Sequence, residues 1–224
     1  MADLNAIFQD LSHAQSEMTD WDREFYISLR QQFETKSRLS TAQEYHLERM
    51  SKRYDERTLA EGRAFKANYG QEHRQVAVQV ARYYDVQHPR YYGNIVDVVL
   101  QDPENHVLTL EQWRKMCENK YALKIRAVYE HDDKFGAGDF VQIRANNRVD
   151  LANIGPDGRQ LPSYKRAKVN GQISNKYAMI LKTQAKPVTR AAKGSKIYQI
   201  LLTDESQTIF AHESDLKKAR RTKK

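Results

Sequence analysis

Apolar residues in the first part of the chain recur at the spacing of amphipathic helices. A first helix is marked by apolar positions three and four residues apart, namely Leu4, Ile7, Phe8 and Leu11. Thr19 with Asp22 has the spacing of an N-terminal capping box and predicts the start of a second helix. Its large apolar residues recur every fourth position, at Trp21, Phe25, Leu29 and Phe33. This spacing predicts one buried stripe.

A third helix is predicted to begin at Ser40, because Gln43 again stands three residues later. Its pattern extends toward Leu59. The connection at residues 36–39 is short enough for an antiparallel helix pair. We expect Trp21 and Phe25 to pack on the third helix as core residues.

Two strings in this region resemble a helical hairpin found in bacteriophage and plasmid proteins of DNA metabolism. They are Trp-Asp-Arg-Glu-Phe at residues 21–25 and Leu-Ser-Thr-Ala-Gln at residues 39–43. The resemblance covers about forty residues. Ala42 stands where the commoner pattern has Lys, so no nucleic-acid contact is transferred to that position. The resemblance implies a phage-like setting rather than an activity.

The helical pattern continues to residue 133. Val76 and Val80 share one face of a helix predicted over residues 71–85. A short helix follows Pro89. Thr109 with Gln112 predicts another start, for a helix whose inward residues are Trp113, Met116, Cys117 and Tyr121.

From residue 134 the pattern changes to the alternation of strands. Residues 140–145 place Val141 and Ile143 on one side and Phe140, Gln142 and Arg144 on the other. Further strands are predicted at residues 177–182, 196–202 and 208–211, with a turn at 212–216.

This order of strands, with the strings Gly-Asp-Phe-Val at 138–141 and Gly-Ser-Lys-Ile-Tyr at 194–198, resembles SH3-like small barrels of the KOW type. The predicted fold class is therefore α+β, with an N-terminal helical region and a C-terminal SH3-like β-barrel. The predicted segments are a helical hairpin region (1–60), a helical region (61–133), the barrel (134–216, interrupted by a loop at 146–174) and a basic tail (217–224). Barrels of this kind bind nucleic acids, peptides or other domains, so the fold does not settle the function.

The net charge of +8 and the pI near 9.4 belong to the second part of the chain. Residues 1–133 carry 18 Lys and Arg against 22 Asp and Glu, whereas residues 134–224 carry 19 against 7. Cations at this density predict binding to a phosphate backbone without base specificity. The candidate contacts are Arg144, Arg148, Lys165, Arg166, Lys168, Lys182, Lys186, Arg190, Lys193, Lys196, Lys217, Lys218, Arg220 and Arg221. A solvated basic surface with no specific partner is the alternative.

Four tyrosines within ten residues form a second candidate surface: Tyr83, Tyr84, Tyr91 and Tyr92. Arg82, His88 and Arg90 stand beside them. Aromatic rings interleaved with cations are typical of a platform on which single-stranded bases stack, or of a docking surface for a protein. Alternatively, two rings lie in the core and two cover a loop.

Other classes of function have less support. The seven histidines lack metal-ligand spacing, and no phosphate-binding loop or nucleophile elbow is present. A metal site at His131, Asp132 and Asp133 is disfavoured because adjacent side chains of an extended segment point apart. The lone Cys117 is interpreted as a buried small apolar residue. We expect no enzymatic activity, no cofactor and no metal.

No apolar run reaches the length of a membrane span, and the first ten residues lack the features of a secretion signal, so a cytoplasmic location is expected. The leading hypothesis is a phage-type accessory protein that binds DNA or RNA without sequence specificity. Its helical region would contact a phage or host protein. The alternative is a phage structural protein, or one that docks on a host protein.

Overall fold

The computed structural model describes residues 3–146, 168, 170–203 and 208–219. The fold is α+β, as the sequence predicts: helices make up the N-terminal part and an antiparallel sheet the C-terminal part. The chain divides into two compact units, which we call the N-terminal unit (Met1–Tyr69) and the C-terminal unit (Gly70–Lys224). The division therefore falls between residues 69 and 70, rather than where the residue pattern changes near 134.

The helices of the N-terminal unit are α1 (Leu4–His13), α2 (Asp20–Lys36), α3 (Thr41–Arg53) and α4 (Glu56–Ala67), with a short 3-10 helix at Gln15–Glu17. Both predicted caps are confirmed: Thr19 accepts from the Asp22 amide at 3.1 Å, and Ser40 with Gln43 forms a full capping box. The predicted extension of α3 to Leu59 is wrong. Asp55 accepts from the Thr58 amide at 2.9 Å and begins α4 instead.

The buried stripe of α2 differs from the predicted one. Asp22, Tyr26 and Leu29 are buried, whereas 67% of the Trp21 side chain is exposed. Four residues turn an α-helix about 40° beyond a full circle, so a strict every-fourth pattern drifts off the core face within three steps. Trp21 consequently stacks on Phe25 at the surface, with 5.2 Å between ring centroids.

The helices of the C-terminal unit are α5 (Gln71–Asp85), α6 (Gly93–Gln101), α7 (Leu110–Cys117) and α8 (Lys120–Glu130). The capping box of Thr109 and Gln112 is formed, and the predicted burial of Trp113, Met116 and Cys117 is confirmed. Tyr121 was expected to point inward with them, but it is exposed. Asn119 caps a new helix at this point, so Tyr121 lies on α8 and not on α7.

The sheet contains β1 (Phe140–Ile143), β2 (Tyr177–Lys186), β3 (Ile197–Leu202), β4 (Thr208–His212) and β5 (Leu216–Lys218) in the order β4-β3-β2-β1-β5, all antiparallel. Val141 and Ile143 face the core, as their alternation predicts. The turn before β1 is closed by Asp139, whose carboxylate accepts from the Gly136 amide at 2.9 Å.

The C-terminal end of the sheet corrects the prediction of a tail that begins at residue 217. Lys217 and Lys218 belong to β5, which pairs with β1, and a 3-10 helix at Glu213–Asp215 connects β4 to β5. Among the described residues, no hydrogen-bonded ladder joins β4 to β5, so the sheet is open and a closed barrel is not formed.

The helices of the C-terminal unit are bonded directly to the sheet and its loops. The Tyr129 hydroxyl on α8 accepts from the Val188 amide at 3.1 Å, and Gln87 donates to the Thr189 carbonyl at 3.1 Å. Lys196, next to β3, donates to the Asp133 carboxylate at 2.8 Å and to the His131 carbonyl. These bonds explain why residue 134 is not a boundary between compact units.

Candidate nucleic-acid interface

The outer face of the sheet displays two aromatic side chains on neighbouring strands. Phe140 on β1 is 56% exposed and Tyr177 on β2 is 44% exposed. The register pairs Gln142 with both Tyr177 and Lys217, and directly opposed residues of antiparallel strands share a face. Tyr177, Gln142 and Lys217 therefore form one row across β2, β1 and β5, with Phe140 diagonal to Tyr177. We call these four residues the sheet platform.

Sequence reasoning placed Phe140 and Gln142 on one side of β1 but did not assign an aromatic role to Phe140 or Tyr177. The signal in the sequence was the alternation within β1 and β2, which places Phe140 and Tyr177 on the exposed side of their strands. What the sequence does not contain is the register that places Tyr177 beside Gln142. That register depends on which strands become neighbours.

The predicted cations in the described part of the chain differ in exposure. Exposed members are Arg144, Lys168, Lys182, Lys193 and Lys218, and partly buried members are Lys186, Arg190 and Lys217. The Arg144 guanidinium donates to the Leu216 carbonyl at 3.2 Å, and the Lys186 ammonium lies 3.8 Å from the centroid of the Phe210 ring. Arg148, Lys165, Arg166, Arg220 and Arg221 lie outside the described residues.

Lys196 does not belong with the exposed cations. Its side chain is 3% exposed, and its charge is paired with Asp133. Burial alone would raise the pKa of the Asp133 carboxyl, but the hydrogen bonds from Lys196 and Gln184 outweigh burial and hold that pKa below its ordinary value. Lys196 therefore stabilises the connection between α8 and the sheet, and we remove it from the candidate phosphate contacts.

The four tyrosines do not form one exposed platform. Tyr83 and Tyr84 are buried; Tyr84 packs against Tyr83 and Tyr92 with ring centroids 5.0 and 4.9 Å apart. The Tyr84 hydroxyl donates to Asn119 at 2.9 Å, and burial raises its pKa to about 12. Tyr91 is the exposed member of the group. Tyr83 and Tyr84 therefore agree with the alternative interpretation, in which two of the four rings lie in the core.

Arg90, one of the three cations expected beside these rings, is paired within the protein. Arg90 donates to the carboxylates of Asp85 and Asp97, at 2.7 Å in both cases. A guanidinium between two carboxylates is partly neutralised, which weakens its attraction for a phosphate. The stacking prediction at this loop therefore reduces to Tyr91.

A polar groove of about 620 Å³ lies between α5 and the end of β2, and sequence reasoning missed it. We call it the α5 groove. Its polar walls consist of Arg74, Arg82 and Lys186 with Gln71, Gln75, Gln79, Gln184 and Tyr129. The remaining lining residues are Val78, Pro103, Ala185 and Pro187. The signal in the sequence was the recurrence of Arg and Gln along one face of α5.

Metal binding or nucleophilic catalysis would use the His, Cys, Asp and Glu side chains. Within the described residues, no cluster of three His, Cys, Asp or Glu side chains could hold a metal ion. Cys117 is fully buried, as predicted, and burial raises the pKa of its thiol to about 12. At neutral pH this thiol stays protonated and is a poor nucleophile.

The N-terminal unit has an exposed aromatic surface of its own, beside a groove of about 500 Å³ between α2 and α3. Trp21 and Phe25 line it, together with His46, Arg49, Lys52 and Arg53. Tyr45 is exposed beside this groove, with the Arg49 guanidinium 5.7 Å from its ring centroid. We call this set, with Tyr45, the Trp21 surface.

Comparisons with known proteins give no functional assignment, so the function is inferred from the geometry. No family model, curated protein or solved structure matches the chain. No helix among the described residues has both the length and the apolar character required to cross a bilayer.

Proposed function

We propose that this chain is a non-enzymatic accessory protein that binds nucleic acid without sequence specificity. The observation that carries the proposal is the sheet platform. Two exposed rings on one sheet face, with a lysine in the same cross-strand row, combine base stacking with phosphate neutralisation. The phage-like setting stays part of the proposal, supported by the hairpin resemblance.

The topology of the sheet supports the proposal at the level of fold. The sheet has the strand order β4-β3-β2-β1-β5, with a 3-10 helix before β5, and it contains the strings at residues 138–141 and 194–198 that resemble SH3-like small barrels. We therefore propose that the sheet is an open relative of such domains, of the KOW type. Lys182 and Lys218 on its strands, with Lys193 in the connection between β2 and β3, supply a sequence-independent attraction for phosphates.

The test is a binding titration by fluorescence anisotropy with single-stranded DNA, duplex DNA and RNA, over a salt series that begins near 50 mM. We expect binding that weakens steeply with salt.

Replacing both Phe140 and Tyr177 with Ala should weaken binding of single strands by about 1 to 3 kcal/mol for each ring that stacks on a base. The matched control is Tyr121→Ala with Leu123→Ala, because both residues are exposed and lie on α8, which contributes no residue to the sheet platform. No binding to any of the three polymers at low salt would contradict the proposal.

A second candidate function, docking on a phage or host protein, is favoured by the Trp21 surface. Trp, Tyr and Arg are the residues that most often dominate binding energy at protein interfaces. The test is capture from a nuclease-treated bacterial lysate. Docking through the N-terminal unit would be supported by a protein partner that stays bound after nuclease treatment. This partner should be lost with Trp21→Ala and Tyr45→Ala and retained with Lys66→Gln. Loss of every partner on nuclease treatment would favour nucleic acid alone.

A further inference from the structure

The residues of α5 that line the α5 groove include cations and amides but no carboxylate. Gln71, Arg74, Gln75, Val78, Gln79 and Arg82 recur at the three- and four-residue spacing that places them on one side of the helix, and all line the α5 groove. The buried residues of α5 include Ala77, Val80 and Ala81. Exposed helix faces ordinarily mix both signs of charge. Here the acidic residues of α5, Glu72 and Asp85, are both absent from the groove lining.

The opposite wall is held in place by its own contacts. The Lys186 ammonium lies over the Phe210 ring at 3.8 Å, and the Tyr129 hydroxyl is bonded to the amide of Val188, one residue beyond the groove wall. Gln184 donates to the Asp133 carboxylate at 3.1 Å. Asp133 is the negative group bonded to this wall, and its charge is compensated by Lys196. The charged side chains that line the groove are Arg74, Arg82 and Lys186, and the carboxylate of Asp85, three residues after Arg82 on α5, is bonded to Arg90.

Arg, Lys, Gln and Tyr side chains are among the groups that donate to phosphate oxygens in nucleic-acid complexes. Arg74 and Arg82 are eight residues apart, about 12 Å along the helix axis. The Nε atom of Arg74 donates to the His106 carbonyl at 3.3 Å, which fixes the direction of the guanidinium.

We propose that the α5 groove binds the sugar-phosphate backbone of one nucleic-acid strand. Arg82 on α5 and Lys186 on β2 approach the phosphates from the two walls, and the glutamines of α5 donate between them. This inference rests on the proposed function and adds a site to it that is separate from the sheet platform. The strand is either a single strand or one strand of a duplex, since both present the same backbone.

The experiment compares the salt dependence of binding for three variants of the full chain, on single-stranded and on duplex oligonucleotides. The test variant is Arg82→Gln with Lys186→Gln. The rescue variant, Arg82→Lys with Lys186→Arg, keeps both charges. The matched control is Arg38→Gln with Lys66→Gln, which removes two exposed cations from the N-terminal unit.

Each lost phosphate contact reduces the magnitude of the slope of log K against log salt by about 0.7 on single strands and 0.9 on duplex. We expect the test variant to lose about 1.4 to 1.8 from the slope. The rescue and control variants should keep the slope of the natural protein. A reduced slope on single strands alone identifies the ligand as a single strand, and a reduced slope on both polymers identifies it as the backbone in general.

A photoreactive residue at Val78, inside the groove, should crosslink to the oligonucleotide, and the same residue at exposed Ile27 in the N-terminal unit should not. If the natural protein binds but the test variant keeps its full slope and Val78 gives no crosslink, the groove assignment is wrong and the proposed function stands. If the natural protein binds none of the oligonucleotides, both fail together.

Discussion

Each unit contains an ion pair with one buried member, but the buried member has the opposite sign in the two units. In the N-terminal unit the anion is buried: the Asp22 side chain is 5% exposed, while that of Arg53 is 46% exposed. In the C-terminal unit the cation is buried: Lys196 is 3% exposed and Asp133 23%. The loss of a partner is costly when it leaves a buried charge unpaired, so the sensitive residue is predictable for each pair.

The two buried charges also differ in how many groups stabilise them. Asp22 accepts from Arg53 at 3.1 Å, from the Tyr54 hydroxyl at 2.5 Å and from Thr19 at 2.9 Å. Lys196 relies on Asp133 and on the His131 carbonyl, both in the segment that joins α8 to the sheet. The first pair stabilises helices within a compact bundle. The second connects helices to strands, so its loss affects the C-terminal unit as a whole.

The largest effect is expected from cutting the chain inside that connection. A fragment that begins at residue 134 lacks Tyr129, His131 and Asp133, and we expect it not to fold. A fragment of residues 70–224 keeps these partners and should give a dispersed amide NMR spectrum and the nucleic-acid affinity of the full chain. A folded fragment 134–224 with full affinity would show that the helices of the C-terminal unit are dispensable.

Among the ion-pair variants, the larger effect is expected from Asp133→Ala, which leaves the buried ammonium of Lys196 with the His131 carbonyl alone. We expect a loss of about 3 kcal/mol in the free energy of unfolding. Urea denaturation followed by Trp113 fluorescence, in a Trp21→Phe background, reports on the C-terminal unit. Asp132→Ala is the control, because the neighbouring carboxylate is exposed. Equal losses for the two variants would mean that the ion pair contributes nothing.

The corresponding change in the N-terminal unit, Arg53→Ala, should cost less, about 1 kcal/mol, because the carboxylate of Asp22 keeps two hydrogen bonds to hydroxyl groups. Trp21 fluorescence in a Trp113→Phe background measures it, with Lys52→Ala as the control. A loss as large as that of Asp133→Ala would erase the distinction between the two units.

Acid should weaken both units. At Asp22, burial raises the pKa of the carboxyl but the hydrogen bonds from Tyr54 and Thr19 outweigh burial, so its pKa, like that of Asp133, lies below the ordinary value. A carboxyl whose pKa is lower in the folded state contributes stability above its unfolded pKa, and this contribution is lost as the pH falls below about 5. Unfolding measured between pH 7 and about pH 3 should show the loss. Asp133→Asn should flatten the curve that Trp113 reports and leave the curve that Trp21 reports unchanged.

The smallest effect on stability is expected from Trp21→Ala. Because the ring is mostly exposed, the free energy of unfolding should change by about 0.5 kcal/mol or less. Trp113→Ala removes a buried ring whose indole N–H donates to Glu118 at 2.9 Å, and should cost about 3 to 5 kcal/mol. Thermal unfolding curves of the two variants test this contrast. A large loss of stability for Trp21→Ala would show that the Trp21 ring is part of the core.

Local signals in the sequence were sufficient for the helix starts and for the alternation of β1. Thr19, Ser40 and Thr109 cap helices because a hydroxyl and a nearby backbone amide are all that a cap requires. Val141 and Ile143 are buried because strand alternation depends on the neighbouring residues alone. The charge contrast between residues 1–133 and 134–224 is likewise a property of the sequence by itself.

The candidate site depended on residues distant in sequence. Lys196 looked like any other cation of the basic region until the fold placed Asp133 beside it, 63 residues away. Phe140 and Tyr177 became a pair only through the register of β1 with β2, and Arg82 and Lys186 came to line one groove only through the packing of α5 near β2. Composition thus determined that the second part of the chain is basic. Tertiary structure decided which of its charges are paired inside the protein and which remain for a partner, because burial and pairing are properties of neighbours in space rather than in sequence.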